Sequence, residues 1–406
     1  MALDPAPAEP AAEAPVTSRI VALVSAGVAS SRADLARELG VAPSTVSGRV
    51  TELIDAGVLD EGGAGESRGG RRPRLLRLRP DGGHVLAADL GGTHARLAVM
   101  DLTGRLGAVR EVPIEVADGP EAALAAILEE GADLAAPSAA SSAASSDAAP
   151  GARSALRGIA IGLPGPVDVV TGRVESPARM PGWNGFAVRD WLAERAGVPV
   201  LVDNDVNLMA LGEHFSYPRR VEHSVTVKAG SGIGSGLIAS GRLHRGATGA
   251  AGDITHSRVS AAGEIPCSCG KLGCLETIAS GAAIVRQLRA QGLDVTTTAD
   301  VVRRAGDAEP AVTTLVREAG RHLGEVLCTV VNFVNPDAVF LGGALSTLEP
   351  FVASVRSQLY EGCHPLVTKN LVITRATTGP EAGVIGAGRL VVQHVLADPG
   401  AFLLRD

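Results

Sequence analysis

Apolar residues at Ile20, Leu23 and Val24 recur with helical spacing and predict a first amphipathic helix. Ser31 is placed to cap a second helix from about Arg32 to Leu39, with Leu35 and Leu39 facing inward. Gly40 and Val41 make the turn, and Pro43 opens a third helix at a position where its missing N–H costs nothing. Val46, Val50, Leu53 and Ile54 share one face of that helix, Gly57 ends it, and Val58 and Leu59 begin a strand. Residues 65–78 read as a glycine-rich hairpin tip followed by a second strand. From Gly83 the period changes to alternating strands and helices. Residues 84–114 predict a strand, a glycine turn, a second strand, a tight Thr-Gly turn and a third strand. A helix is expected over Ala122–Leu134, strands resume in 157–168 and 199–207, and Glu381–His394 reads as a closing helix.

Between these patterned stretches lie two that cannot bury a core. Residues 1–16 are rich in Pro, Ala and Glu, and Ala135–Ala155 is a Ser/Ala/Pro tract; both are expected to be disordered, the second as an insert in a surface loop. The chain therefore divides into a tail (1–16), a helical unit with a strand ribbon (17–80) and a larger α/β unit (84–406). At 406 residues, 46% hydrophobic and 20% charged, the composition is that of a soluble multidomain protein. No apolar run reaches membrane-spanning length, and the acidic N-terminus has no secretory pattern. With five cysteines, an odd number, reduced thiols and a cytoplasmic location are expected.

The net charge of −7 is unevenly spread: Arg68 to Arg79 holds six arginines and no acid. Beside that run, the third helix keeps Ser44, Thr45, Gly48 and Thr51 off its buried face, with Arg49 at its margin. Small hydroxyl residues allow a helix to approach base edges in a major groove. Arg68, Arg71 and Arg72 are placed to reach phosphates or an adjacent minor groove. The stretch from Ser31 to Leu59 resembles the winged helix-turn-helix of bacterial repressors, so double-stranded operator DNA is an expected partner; a three-helix packing or docking module is the alternative.

The most specific chemistry lies between Gly249 and Glu276. His256 precedes Cys267, Cys269 and Cys274, the three cysteines falling within eight residues. Zinc favours four thiolate and imidazole ligands in a tetrahedron, and a closed Cys3His set leaves no position for catalysis. Gly270 and Gly273 permit the sharp turns that aim Cys269 and Cys274 at one ion. Buried free thiols are the simpler alternative.

This stretch resembles the zinc-bearing signature of the ROK family of repressors, open reading frames and sugar kinases. The resemblance extends from about Thr17 to His394 and implies a two-lobed actin/hexokinase-like (ribonuclease H-like) sugar-binding domain behind the winged helix-turn-helix, with a structural Zn2+. By position it implies that His256 serves metal and sugar and that Glu276 reaches the sugar. The family's E-x-G-H carboxylate falls on Asp253 and its glycine on Thr255, both departures.

Further motifs fit the same resemblance. Asp89, Gly91, Gly92 and Thr93 resemble a phosphate-cradling turn in which the aspartate orders magnesium through water, although His94 stands where lysine is common. Gly230, Ser231 and Gly232 resemble the second such turn, and Gly342 and Gly343 the pair that contacts adenosine. Each is equally a structural turn when taken alone. Lys228 stands where the resemblance predicts a small polar residue, either filling or crowding the phosphate site. Asp203 to Asn207 resembles the element in which the middle aspartate, here Asp205, takes the proton of the attacking sugar hydroxyl and Asn204 binds the sugar. An Asx-rich helix cap is the structural alternative. Trp183, in the element from Ser176 where Arg179 and Met180 replace the usual Asn-Leu, suits either a sugar ring or the core.

Together these readings predict a sugar-responsive transcriptional regulator, a repressor, acting on carbohydrate genes as a homodimer or tetramer. A ligand held by Asn204, Asp205, Asp253, His256 and Glu276 would fix the angle between the lobes and so the spacing of the DNA-binding heads. The rival is a sugar kinase using ATP and Mg2+ that carries a DNA-binding head; a regulator that senses nucleotide alone is a third reading.

Overall fold

The computed structural model describes residues 15–25, 27–64, 74–136 and 155–397. The N-terminal tail up to residue 14, most of the 135–155 insert and the wing-tip residues Arg68, Arg71 and Arg72 lie outside the described residues.

The head forms as the pattern predicts. Helices Val16–Ser25, Arg32–Leu39 and Pro43–Asp55 are followed by the antiparallel pair Leu59–Ala64 and Arg74–Leu78. Ser31 caps the second helix by accepting the Asp34 N–H at 3.2 Å, and Gly40 ends it at φ 65°. Ile20, Leu35, Val46, Val50 and Leu53 are fully buried, each contributing about 1.5–3 kcal/mol of transfer free energy. Arg32 grips Glu61 with two bonds, 2.8 and 3.1 Å, tying the second helix to the wing strand.

Two five-stranded sheets follow, and their topologies repeat. In the first lobe the order is Leu106–Pro113, His94–Asp101, His84–Leu90, Leu156–Leu163, Val200–Asn204. In the second it is Arg242–Leu243, Ile233–Ala239, Ser224–Ala229, Ala338–Gly342, Val372–Arg375. Each lobe thus opens with an antiparallel meander and then adds two parallel strands beside its first strand. Parallel additions require helical crossovers, which here are Pro120–Ala135 and Val188–Ala196 in the first lobe and Pro310–Val334 and Glu349–Gly362 in the second. Helix Pro120–Ala135 includes Ala135, the first residue assigned to the insert from sequence.

Two helices join these parts. Asp205–Ser216 packs on the second-lobe strands Ser224–Ala229 and Ile233–Ala239 and on the closing helix Ala382–Ala397. The closing helix lies over the first-lobe sheet and also meets the head helix Val16–Ser25, so that Ile20 and Val24 share one apolar cluster with Val391, Val392 and Val395. The two helices approach very closely because glycine faces backbone: a Cβ at Gly386 would lie 1.8 Å from the Leu208 carbonyl oxygen, and one at Gly212 1.9 Å from that of Ala382. Among the described residues, no helix is long and apolar enough to cross a membrane.

Candidate functional site

The first strands of the two lobes hold equivalent places, and so do their penultimate residues. Asp89 in His84–Leu90 stands opposite Gly162 of the parallel neighbour; Lys228 in Ser224–Ala229 stands opposite Gly342 of its own. Each precedes by two residues the first glycine of its turn, Gly91 or Gly230. The acid and the base meet on the inter-lobe helix. Asp205, buried at the start of that helix, accepts from the Lys228 ammonium at 2.6 Å through Oδ2 and from the Val206 N–H at 2.9 Å through Oδ1. Burial acts to lower the Lys228 pKa, but the charges of Asp205 and Asp89 outweigh it and raise the pKa above the ordinary value, so the ammonium stays charged. Among the described residues Asp89 Oδ1 has no hydrogen-bond partner, and burial pushes its carboxyl upward against the pull of Lys228.

Asn204 caps the inter-lobe helix: its Oδ1 accepts the Val206 N–H at 3.0 Å and its amide donates to the Gly165 carbonyl at 3.1 Å. The helix-cap reading therefore describes its geometry here, with its amide already engaged by main chain. Asp203 pairs with Arg245 at 2.8 Å and accepts from Asn207.

The other wall of the cleft is built around Glu276, buried at the start of a short helix. Arg179 reaches across from the first lobe to Glu276 at 3.1 Å, and a Cβ at Gly232 would lie 3.0 Å from the same carboxylate. Gly232 thus borders the Glu276 carboxylate, whereas Gly234 and Gly236 are glycine so that the hairpin can lie on Val206 and Ala210. The turn Gly230–Ser231 is pinned from behind, its carbonyls accepting the N–H groups of Gly281 and Ala282. The turn at Gly91, Gly92 and Thr93 is tied as well, the Gly92 carbonyl accepting the Val116 N–H at 3.1 Å and the Gly91 N–H donating to the His94 carbonyl at 2.8 Å, but Gly92 and Thr93 stay exposed. Gly343, at φ 80°, lies where a Cβ would strike the Ala229 carbonyl oxygen at 2.5 Å, and Gly342 is packed under Met209.

The Cys3His set converges. The ligand atoms of His256, Cys267, Cys269 and Cys274 all lie within 4.8 Å of one another. His256 Nδ1 is 3.5 Å from Cys267 Sγ, and the Cys269 and Cys274 sulfurs are 3.7 Å apart. Metal–sulfur bonds of about 2.3 Å and metal–nitrogen bonds of about 2.0–2.1 Å in a tetrahedron give edges of roughly 3.5–3.8 Å. The residues therefore fit a metal ion. Gly270 (φ 84°) and Gly273 (φ 74°) make the required turns. Cys267 Sγ lies 4.0 Å from Glu276 Oε2, placing the knot directly behind the cleft wall.

Asp253 is exposed, and its Oδ1 accepts the Thr255 N–H at 2.9 Å. Trp183 is fully buried with its indole N–H on the Val116 carbonyl at 3.0 Å, so the core reading holds and its ring offers no face to a ligand. On the head, Ser44, Thr45, Gly48, Arg49 and Thr51 are all exposed, with Arg49 paired to Glu52 at 2.8 Å. Sequence reasoning did not find the Arg179–Glu276 and Arg245–Asp203 pairs, whose partners are far apart along the chain and carry no local signal.

A winged helix-turn-helix head on a two-lobed α/β body with a Cys/His knot beside its cleft defines a class of protein, and known proteins agree with it. A ROK family model matches residues 85–394 and a winged helix-turn-helix DNA-binding model residues 17–60. The chain belongs to the ROK family. It is 30% identical over 326 residues to a glucokinase of Halalkalibacterium halodurans, covering 76% of this chain and 95% of that one. It is 29% identical to a putative xylose repressor of Caldicellulosiruptor sp., covering 91% and 93%. A solved ROK family transcriptional regulator, a homologue of the E. coli MLC protein, superposes with a TM-score of 0.75 at 26% identity, covering 96% of this chain and 97% of that one.

Proposed function

We propose that this protein is a sugar-responsive transcriptional regulator, a repressor, that binds operator DNA through the head and a sugar or sugar derivative in the cleft. The observation that carries the reading is the closing helix Ala382–Ala397. Gly383 at its start lies against Asp89, where a Cβ would stand 2.2 Å from Oδ2, and the same helix packs on the first helix of the head. A ligand that changes how the lobes meet therefore has a rigid route to the DNA-binding surface. Close relatives along nearly the full chain include a putative xylose repressor, which supports the reading.

In this mechanism Ser44, Thr45, Gly48 and Arg49 present the third helix to base edges, and Arg68, Arg71 and Arg72 bind backbone or minor groove. Asp205, Asp253 and Glu276 accept from sugar hydroxyls, His256 donates from the ring nitrogen turned away from the metal set, and Asn204 holds the loop behind Asp205. A zinc ion held by His256, Cys267, Cys269 and Cys274 would supply no reaction; its ligands brace the wall that carries Glu276. Two heads in a homodimer or tetramer would read two half-sites. A sugar kinase is the second reading, favoured by the glucokinase relative and by the turns at Asp89–Thr93, Gly230–Gly232 and Gly342–Gly343, which would hold ATP and Mg2+. The Lys228–Asp205 ion pair opposes it, because a carboxylate held by an ammonium is a poor base.

The test is fluorescence anisotropy of the zinc-loaded full chain on DNA selected from a random library, with and without D-xylose, D-glucose or N-acetyl-D-glucosamine. One sugar is expected to change the operator Kd at least about tenfold, a coupling of about 1.4 kcal/mol. Operator binding indifferent to every sugar, together with sugar-dependent ADP release from ATP, would replace the regulator by the kinase.

A further inference from the structure

The two lobes place an acid and a base at equivalent positions. Asp89 and Lys228 are the penultimate residues of corresponding strands, and Asp205 lies between them on the inter-lobe helix. The proximity is tight. A single added atom at Gly162 would lie 3.2 Å from the Asp205 Cα and 3.5 Å from Asp89 Oδ1. Lys228 Nζ is 2.6 Å from Asp205 Oδ2. Lys228 therefore brings one positive charge to two carboxylates, and one of its three N–H donors is accounted for by Asp205.

A metal nucleotide needs this same ground. In phosphoryl transfer, carboxylates order the magnesium and a free carboxylate takes the proton of the attacking hydroxyl. Here the ammonium already neutralises the second, and among the described residues Asp89 Oδ1 has no hydrogen-bond partner. Bringing in magnesium would set a divalent cation beside a fixed ammonium, which is repulsive at this separation in a partly buried site. For a sugar the arrangement is favourable: one hydroxyl can donate to Asp205 and accept from Lys228 at once.

We propose that Lys228 is the built-in cation of the cleft, standing in place of the nucleotide's magnesium and terminal phosphate and binding the sugar hydroxyl jointly with Asp205. This assigns Lys228 as a ligand-binding and specificity-determining residue and makes the cleft one that takes a sugar and rejects a magnesium nucleotide. It rests on the sugar-cleft reading above, but its test uses no DNA, so the two can fail separately.

The experiment is thermal melting of the zinc-loaded full chain with millimolar Mg2+ and the non-hydrolysable ATP analogue AMPPNP, for wild type, Lys228→Thr and the neutral pair Lys228→Gln with Asp205→Asn. The double variant removes the Lys228–Asp205 pair together and leaves only Asp89, whose carboxyl burial already pushes toward the neutral form, and so guards against loss of fold. Wild type is expected to melt unchanged, and the variants to gain several degrees with AMPPNP only when Mg2+ is present. In the same format with the three sugars named above, Lys228→Gln is expected to weaken whichever sugar stabilises wild type at least tenfold. Stabilisation of wild type by Mg–AMPPNP overturns the proposal without recourse to any variant. Failure of both folded variants to gain nucleotide binding, or unchanged sugar affinity in Lys228→Gln, overturns it as well.

Discussion

The two lobes share a topology strand for strand, yet their equivalent turns have been put to different uses. In the first lobe the turn Gly91–Thr93 is exposed, tied by the Val116 N–H on the Gly92 carbonyl, and among the described residues Asp89 Oδ1 behind it has no hydrogen-bond partner. In the second lobe the turn Gly230–Gly232 is pinned from behind by helix Gly281–Ala290 and borders Glu276, with the Cys/His knot beyond. One lobe supplies an acid and a contact to the DNA-binding head; the other supplies a base and a rigid wall. Equal topology fixes where a residue stands. The side chain placed there decides what the position does, and Lys228, the counterpart of Asp89, turns a site of the kind that orders magnesium into one that supplies its own cation.

The strongest way to break this comparison is to remove the rigidity of the second lobe. Replacing Cys274 with Ser, at the buried corner of the knot, is expected to abolish tight zinc retention and to lower sugar affinity by about 10–100-fold, the scale on which loss of metal-site order acts. Zinc content and calorimetric titration check it. Amide exchange should rise across 256–276 while the first-lobe sheet stays protected.

The next test acts on the first-lobe side. Gly386→Ala forces the inter-lobe and closing helices apart, because its Cβ meets the Leu208 carbonyl at 1.8 Å. A loss of about 1–3 kcal/mol or more is expected, read as the melting midpoint, together with a smaller effect of sugar on operator affinity than in wild type. An unchanged sugar effect in a folded variant would remove the closing helix from the signalling route.

Smaller is the effect of Arg179→Met, which cuts the pair joining the lobes at Glu276. Arg179 is nearly half exposed but Glu276 is buried, so leaving that carboxylate without its cation should lower stability by about 1 kcal/mol, read as the melting midpoint. The Glu276 carboxylate is then free for sugar, and affinity should rise rather than fall.

The smallest expected effect lies in the head, where neither lobe is touched. Glu61 is held below the usual carboxylate range by its hydrogen bonds to Arg32, opposed by burial. Its folded pKa being depressed, its contribution is present above the unfolded value of about 4.3 and is lost as pH falls through the folded one. Glu61→Gln should cost about 1 kcal/mol or less at neutral pH, a difference that shrinks as pH falls below the unfolded value of about 4.3 and vanishes below the folded one. Chemical denaturation at the two pH values measures it.

Much of this was legible along the chain because the causes are local. Ser31, Gly40 and Pro43 bound helices through caps and fixed dihedrals that act within a turn, and the strand periods of the first lobe needed only alternation. The Cys3His cluster was legible because its three thiols are close in sequence. The uses of individual residues were not. Trp183 had two readings until its indole was found against Val116, and the glycines at 234 and 236 acquired their reason only when Val206 and Ala210 were placed against them.

The sequence by itself determined the elements of the head, the opening strands of the first lobe, the metal-binding set and the family resemblance, since each shows in residue types close along the chain; the helices Val188–Ala196, Gly281–Ala290, Pro310–Val334 and Glu349–Gly362 appeared only in the fold. Only the tertiary structure decided that Lys228 closes on Asp205, that Arg179 spans the lobes to Glu276 and that one helix carries both the floor of the cleft and the seat of the DNA-binding head. Charge pairing and close helix packing act through space, between residues whose separation along the chain says nothing about their distance once it has folded.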